Sequence, residues 1–187
     1  MNSQELKIQP LFSKPLGFTK IHLTEEFIDW VKKTEYRKIE FGYQSVDEQL
    51  LDKFLYIKHQ VEKEVQAFND NVMMFDTPIK LTRSWSTKYE PNTEGEVHIH
   101  NTATYSFVLY INKGDSCQFQ KWPNDGLRPH FKGYNIFNMT SHNMPVEQGS
   151  LLIFLSNTPH KILKTNEERY SVAGNYIITD MKEFKIV

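Results

Sequence analysis

The chain from residue 79 to the C-terminus shows no helical period. Short runs rich in β-branched and aromatic residues instead alternate with turn signals. This spacing is typical of a β-barrel or β-sandwich, in which short strands follow one another through turns. The predicted strands are residues 81–89, 96–100, 105–111, 150–155, 160–163 and 170–179. The interval 113–144 is rich in turn residues and predicts a long loop that is either functional or disordered.

The first 78 residues carry the helical signals. Thr24 precedes two acidic residues, and two lysines close the last turn, so a short helix is predicted over residues 25–33. Ser45 and Glu48 form a capping-box pattern in front of a second helix. Apolar residues then recur every three or four positions, which predicts an amphipathic helix that covers one face of a sheet. These apolar residues are Leu50, Phe54, Ile57, Val61, Val65 and Phe68.

Residues 6–23 read as extended chain. Pro10 and Pro15 restrict this part to an edge strand or to irregular structure, because proline cannot donate to a sheet ladder. With 187 residues the chain is long enough for one domain with a substantial core. We expect a single domain over residues 1–187, with an extended segment and supporting helices in residues 1–78 and a β core in residues 79–187.

Charge and cysteine content exclude several functions. The net charge is -1, so a nucleic-acid partner is not indicated. The single cysteine, Cys117, excludes an internal disulfide and fits a reducing compartment. No basic and apolar leader opens the chain, and no apolar run approaches about 18 residues, so we expect neither a signal peptide nor a membrane span. The expected location is the cytoplasm.

Two histidines on one predicted strand form a candidate metal site. His98 and His100 are two residues apart, so their side chains share a face of the strand. Two such histidines need one or two further protein ligands. His160 is the preferred third ligand, because a turn follows a buried strand directly before it, whereas Glu96 remains an alternative partner of His98 on the same face. The other histidines are less favoured as ligands: His22, His59, His130 and His142.

The histidine pair, the distal histidine about sixty residues later and a basic residue nine positions beyond it resemble the iron(II)- and 2-oxoglutarate-dependent dioxygenases. In that family a His-x-Asp/Glu pair and a distal His bind iron, and the basic residue binds the far carboxylate of 2-oxoglutarate. The resemblance implies that His98, His100 and His160 are the metal ligands and catalytic centre. It also implies that Arg169 and Ser171 contact 2-oxoglutarate, with Tyr110 as a further contact.

The sequence is most similar to 2-oxoglutarate oxygenases of phages and marine bacteria, a prolyl-hydroxylase-like subgroup in which a second His often stands in the carboxylate position. The resemblance is carried by residues 10–12, 84–85, 98–110 and 147–160. It implies an α+β, mainly β fold: a double-stranded β-helix (jelly roll, cupin-like) with N-terminal helices packed on one sheet. The implied activity is that of an oxidoreductase, a dioxygenase that uses Fe(2+), 2-oxoglutarate and dioxygen to hydroxylate a C–H bond.

The substrate class stays open at this point. Analogy to prolyl hydroxylases favours a peptide or protein substrate, and a small molecule is the other class. Two alternative functions also remain. One is a cupin-type metal enzyme that does not use 2-oxoglutarate, for which three histidines would also suit zinc. The other is a non-catalytic metal-binding module of the same fold.

Overall fold

The structure is a computed structural model that describes residues 13–121, 132–133, 135 and 138–180. The helices are α1 (Glu25–Lys33), a short 3-10 helix (Leu50–Lys53), α2 (Leu55–Ala67) and a π-helical turn (Phe68–Val72). The strands are β1 (Leu16–Lys20), β2 (Tyr36–Ile39), β3 (Gly42–Ser45), β4 (Ile79–Tyr89), β5 (Tyr105–Tyr110), β6 (Gly114–Gln120), β7 (Ser141–Val146), β8 (Ser150–Leu155), β9 (His160–Ile162) and β10 (Arg169–Ile178).

The strands form two antiparallel sheets. Seven strands make the larger sheet in the order β1-β8-β5-β10-β4-β3-β2, and the smaller sheet has the order β7-β6-β9. An isolated bridge between His98 and His160 extends the smaller sheet by one short segment. From β7 to β10, strands that follow one another in the chain alternate between the two sheets. The arrangement is a double-stranded β-helix, so the predicted α+β, mainly β fold is confirmed.

Side chains alternate across the larger sheet and give it two different faces. One face packs with α1 and α2 into the main core, through residues such as Phe107 of β5 and Val172 of β10. The opposite face looks into the space between the two sheets, where Val108 and Phe154 pack with Phe119 of β6. The helices therefore cover one face only, as predicted, and the inner face is left for the functional site.

The first predicted helix is confirmed. It runs over Glu25–Lys33, and the Thr24 hydroxyl accepts a hydrogen bond from the Phe27 amide at 3.2 Å. The capping-box prediction for the second helix is wrong, because Ser45 ends β3 and its hydroxyl donates to the Asp47 carbonyl. The 3-10 turn then precedes α2, which begins at Leu55.

Five of the six predicted strands are confirmed within two residues at each end. Residues 96–100 are the exception, since this segment has a single bridge at His98 and is otherwise irregular. Strand β1 occupies the edge of the larger sheet, in the part predicted as edge strand or irregular chain. The prediction of a loop over residues 113–144 is wrong for β6 and for the start of β7, which are strands. Strand β7 is largely exposed, so its sequence shows no alternation of apolar and polar residues that would indicate a strand.

No helix among the described residues is long and apolar enough to cross a lipid bilayer. The predicted segment 10–12 and His130 lie outside the described residues.

Candidate metal centre

Three histidines from separate parts of the chain converge between the sheets. One nitrogen of each of His98, His100 and His160 lies within 4.8 Å of the others. The backbone holds them there: the His98 amide donates to the His160 carbonyl at 3.0 Å, and the His160 amide donates back at 3.1 Å. The His100 amide donates to the Ser156 carbonyl at 2.9 Å. The structure therefore brings together the three residues that the sequence singled out.

Backbone carbonyls orient two of the three rings. His98 Nδ1 lies 2.9 Å from the Glu96 carbonyl oxygen, and His160 Nδ1 lies 2.9 Å from the Thr158 carbonyl oxygen. A carbonyl only accepts, so each Nδ1 carries the hydrogen and each Nε2 keeps its lone pair. This second hydrogen bond is the usual support of a metal-binding histidine. The two rings are thus fixed in the tautomer that presents Nε2 to a cation.

The surroundings keep His100 and His160 neutral. Burial, together with a smaller contribution from the neighbouring His98, lowers the pKa of His160 from 6.5 to about 3. Burial also lowers the pKa of His100 to about 4, with smaller contributions from His98 and Arg83. Both rings are neutral at pH 7, and neutral imidazole is the form that binds a metal.

Aromatic side chains wall this cluster. The Phe154 ring lies 4.6 Å from the His160 ring, and the Trp85 ring lies 5.8 Å from the His100 ring. The His100 and His160 rings stack at 5.3 Å with an interplanar angle of 9°. The apolar walls limit the motion of the rings and reduce the access of water.

The alternative ligand, Glu96, contributes its backbone carbonyl to His98, and its carboxylate is not part of the cluster. The histidines that the sequence ranked lower and that the structure describes also lie outside the cluster: His22, His59 and His142.

Arg169 is a buried cation with no acceptor in the described part of the chain. Its side chain is fully buried, and none of its three guanidinium nitrogens has a hydrogen-bond partner among the described residues. The guanidinium carbon lies 5.5 Å from the Tyr89 ring and 5.4 Å from the Tyr110 ring. The aromatic rings offset part of the cost of burying the charge. An unpaired buried charge is nevertheless costly, and such groups normally meet an anion.

Two other predicted residues lie beside Arg169 on the inner face. Tyr110 pairs with Ser171 across β5 and β10, and its buried hydroxyl lies beside the Cys117 thiol and has no oxygen or nitrogen partner among the described residues. Burial and the neighbouring Cys117 raise the pKa of Tyr110 well above 10, so the hydroxyl stays a donor. The Ser171 and Thr87 hydroxyls lie 2.7 Å apart.

The sequence reasoning missed Thr87 and Tyr89, which face this pocket from β4. Their register supplies the signal in retrospect. Tyr89 pairs with Arg169 and Thr87 pairs with Ser171, so these side chains stand on the same face as Trp85 at period two along β4. The inner face therefore holds a nitrogen cluster suited to a metal and, deeper along β10, a set of donors suited to a carboxylate.

Comparisons with known proteins establish the fold. No family model matches the sequence, and no curated protein matches it significantly. Among solved structures, HygX from Streptomyces hygroscopicus with nickel and 2-oxoglutarate bound is 10% identical, with a TM-score of 0.63 over 92% of this chain and 86% of that one. A Pseudomonas putida prolyl-4-hydroxylase is 16% identical, with a TM-score of 0.57 over 90% and 95%.

A prolyl hydroxylase from Trichoplax adhaerens in complex with a peptide fragment is 14% identical, with a TM-score of 0.58 over 87% of this chain and 83% of that one. The overlap covers most of each chain. At identities this low, the likeness shows that the protein shares the fold of these 2-oxoglutarate oxygenases.

Proposed function

We propose that this protein is an iron(II)- and 2-oxoglutarate-dependent dioxygenase that hydroxylates a C–H bond of its substrate. The observation that carries the proposal is the unpartnered, fully buried guanidinium of Arg169 inside the same barrel as the histidine cluster. A metal site alone fits many enzymes. A metal site together with a buried cation fits a cosubstrate that chelates the metal at one end and carries a carboxylate at the other.

The residues divide into two groups with different tasks. His98, His100 and His160 would hold the iron through Nε2, as the hydrogen bonds at Nδ1 of His98 and His160 indicate. Arg169 would bind the far carboxylate of 2-oxoglutarate in a charge-assisted contact, with Ser171 and Tyr110 as additional hydroxyl groups. When bound, iron and 2-oxoglutarate supply the oxidation of a C–H bond by dioxygen, with succinate and carbon dioxide as the other products.

The protein orients the reactants and excludes water. The Tyr110 hydroxyl stays protonated and can donate to a carboxylate oxygen, since burial raises its pKa. Phe154 and Trp85 close the sides of the metal cluster. Three neutral histidines leave the full dipositive charge on the metal, so its reduction potential should differ from that of a site with one carboxylate ligand.

The proposal includes a peptide or protein substrate, by likeness to prolyl hydroxylases, one of which binds a peptide. HygX has also been solved with hygromycin B, so the fold serves small molecules as well.

We place the protein in the cytoplasm, which fits its single, buried cysteine.

The alternative function is a cupin-type metal enzyme that does not use 2-oxoglutarate. The all-histidine donor set favours it, because three histidines also suit zinc with an activated water. Under this alternative Arg169 has no ligand. Metal analysis together with 2-oxoglutarate binding separates the two functions.

The decisive experiment measures succinate formation from 2-oxoglutarate by the iron-loaded protein, together with 2-oxoglutarate binding by calorimetry. We expect iron-dependent binding and turnover that Arg169→Met and His160→Ala each abolish. The matched control is Arg37→Met, which removes an exposed arginine and should change neither. Retention of zinc with no 2-oxoglutarate binding would instead support the cupin-type alternative.

A further inference from the structure

A second group of hydrogen-bond donors lies on the inner face, on the opposite side of the Trp85 level from Arg169. Arg83 of β4 pairs with Asn175 of β10, and six residues along each strand Tyr89 pairs with Arg169. Because every second residue faces the same side of the sheet, all four side chains lie on the inner face. Directly opposed residues on neighbouring strands have Cβ atoms about 5 Å apart. The Arg83 and Asn175 side chains therefore leave the sheet side by side.

Arg83 is available to a ligand. Its side chain is 46% exposed, and its guanidinium carbon lies 5.2 Å from the Trp85 ring, which in turn lies 5.8 Å from the ring of His100. Its ion pair with Glu48 at 2.9 Å does not neutralise it fully, because Glu48 also pairs with Arg37 at 2.7 Å. One carboxylate thus serves two guanidinium groups, and most of the Arg83 N–H donors stay open.

Asn175 adds an oriented donor. Its side-chain oxygen accepts a hydrogen bond from the Ser106 hydroxyl at 2.9 Å, and Ser106 also contacts the Ser156 hydroxyl at 2.8 Å. This fixes the amide so that its NH2 group points away from Ser106. Among the described residues no hydrogen-bond acceptor is found for that NH2 group, and the group keeps some exposure to solvent although the residue as a whole is 6% exposed.

We propose that Arg83 and Asn175 bind an oxyanion of the substrate, a carboxylate or a phosphate, beside the histidine cluster. The inference rests on the proposed function and deepens it by naming the charge of the substrate. The oxyanion would take N–H donors from both side chains, and its carbon skeleton would lie along Trp85 toward His100. Arg169 is fully buried and would bind the cosubstrate, so the substrate oxyanion and the far carboxylate of 2-oxoglutarate would not compete for one site.

The test uses small aromatic probes and a local signal. The zinc-bound, 2-oxoglutarate-saturated protein is titrated with benzoate and with its neutral isostere benzamide. Binding is followed at the indole N–H resonance of Trp85, which is identified by its loss in Trp85→Phe. We expect benzoate to bind at least about tenfold more tightly than benzamide, the difference expected for one charge-assisted contact.

Two variants and a matched control assign the site. Arg83→Gln removes the charge, and Asn175→Asp keeps the acceptor for Ser106 while replacing the NH2 donor by an anion. Each variant should weaken the binding of benzoate about tenfold and leave the binding of benzamide unchanged. Lys33→Gln removes an exposed cation of α1 that does not contact Glu48 and should leave benzoate binding intact. A titration with phenyl phosphate distinguishes the two oxyanions. Tighter binding of benzoate indicates a carboxylate substrate, and tighter binding of phenyl phosphate indicates a phosphate substrate.

The inference is overturned if benzamide binds as well as benzoate, or if Lys33→Gln weakens benzoate binding as much as Arg83→Gln does. It is also overturned if Arg169→Met, rather than Arg83→Gln, removes benzoate binding, since benzoate would then occupy the deep pocket. Failure of 2-oxoglutarate to bind contradicts the proposed function itself. Normal 2-oxoglutarate binding without selective benzoate binding contradicts only the inference.

Discussion

Replacing Arg169 by methionine should stabilise the ligand-free protein and remove its response to 2-oxoglutarate. The guanidinium is fully buried and has no acceptor among the described residues. Burying an unpaired charge costs several kcal/mol. The two flanking rings, Tyr89 and Tyr110, offset about 2 kcal/mol each at most. Methionine fills a similar volume without a charge, so we expect a net gain of about 1–3 kcal/mol in the free energy of unfolding.

The assay is urea and thermal unfolding of wild type and Arg169→Met, each with zinc and with or without 2-oxoglutarate. The gain should raise the melting temperature by about 2–12 °C, at roughly 2–4 °C per kcal/mol for a chain of this size. Wild type should gain about 2.7 kcal/mol from 2-oxoglutarate at a hundred times its dissociation constant, and the variant should gain nothing. Arg37→Met is the control, because loss of its exposed ion pair should change stability by less than about 1 kcal/mol.

Two results would refute this reasoning. If Arg169→Met unfolds more readily than wild type in the absence of 2-oxoglutarate, the guanidinium is a structural group whose environment already compensates its charge. If the variant is stabilised by 2-oxoglutarate as strongly as wild type, the cosubstrate carboxylate binds elsewhere. Unchanged stability of Arg37→Met is needed in either case to exclude a general effect of lost positive charge.

Three further predictions follow from the same geometry. The pKa values of His100 and His160 are about 4 and about 3 in the folded protein, against 6.5 ordinarily, so the unfolded chain binds more protons below pH 6.5. With a chelator present, the contribution of the two neutral histidines to the free energy of unfolding should be fully present above about pH 6.5 and decrease toward pH 4. A His160→Gln variant that keeps the full decrease would contradict this. Tyr110→Phe removes a buried hydroxyl that has no oxygen or nitrogen partner among the described residues, so urea unfolding should show equal or higher stability while calorimetry shows weaker 2-oxoglutarate binding. Lower stability would indicate a structural hydrogen bond, for example to the Cys117 thiol. Gly174→Ala would bring a Cβ to 2.4 Å from the Phe107 ring and should cost about 1–3 kcal/mol in urea unfolding, and a neutral effect would mean that the ring can move aside.

Local signals in the sequence located most of the regular elements. The Thr24 cap and the two lysines of the last turn predicted the ends of α1, and the apolar run in β8 matched the observed strand. Strand β7 was missed because it lies at the edge of the smaller sheet and is largely exposed, so it carries no apolar alternation. Strand β6 is central in that sheet and buries Cys117 and Phe119, but two apolar residues are too short a pattern to indicate a strand. The start of α2 was misplaced because Ser45 uses its hydroxyl in a strand end, accepting from the Ser86 amide, a contact between residues 41 positions apart.

The sequence by itself determined the chemistry of the site. The spacing of His98 and His100 places two imidazoles on one side of an extended segment, and the distal His160 followed by Arg169 supplied the remaining groups. These are properties of residue type and short-range geometry, so a pattern in one chain can express them.

Only the tertiary structure decided how those groups are used. Two backbone carbonyls select the tautomer of His98 and His160, and the burial that keeps the rings neutral comes from both sheets. Arg169 follows two glutamates, a local pattern that gives no sign of burial, yet its side chain is fully buried between the rings of Tyr89 of β4 and Tyr110 of β5. Burial and hydrogen-bond satisfaction depend on which distant strands meet, so they are absent from any local pattern and appear only when the two sheets close on each other.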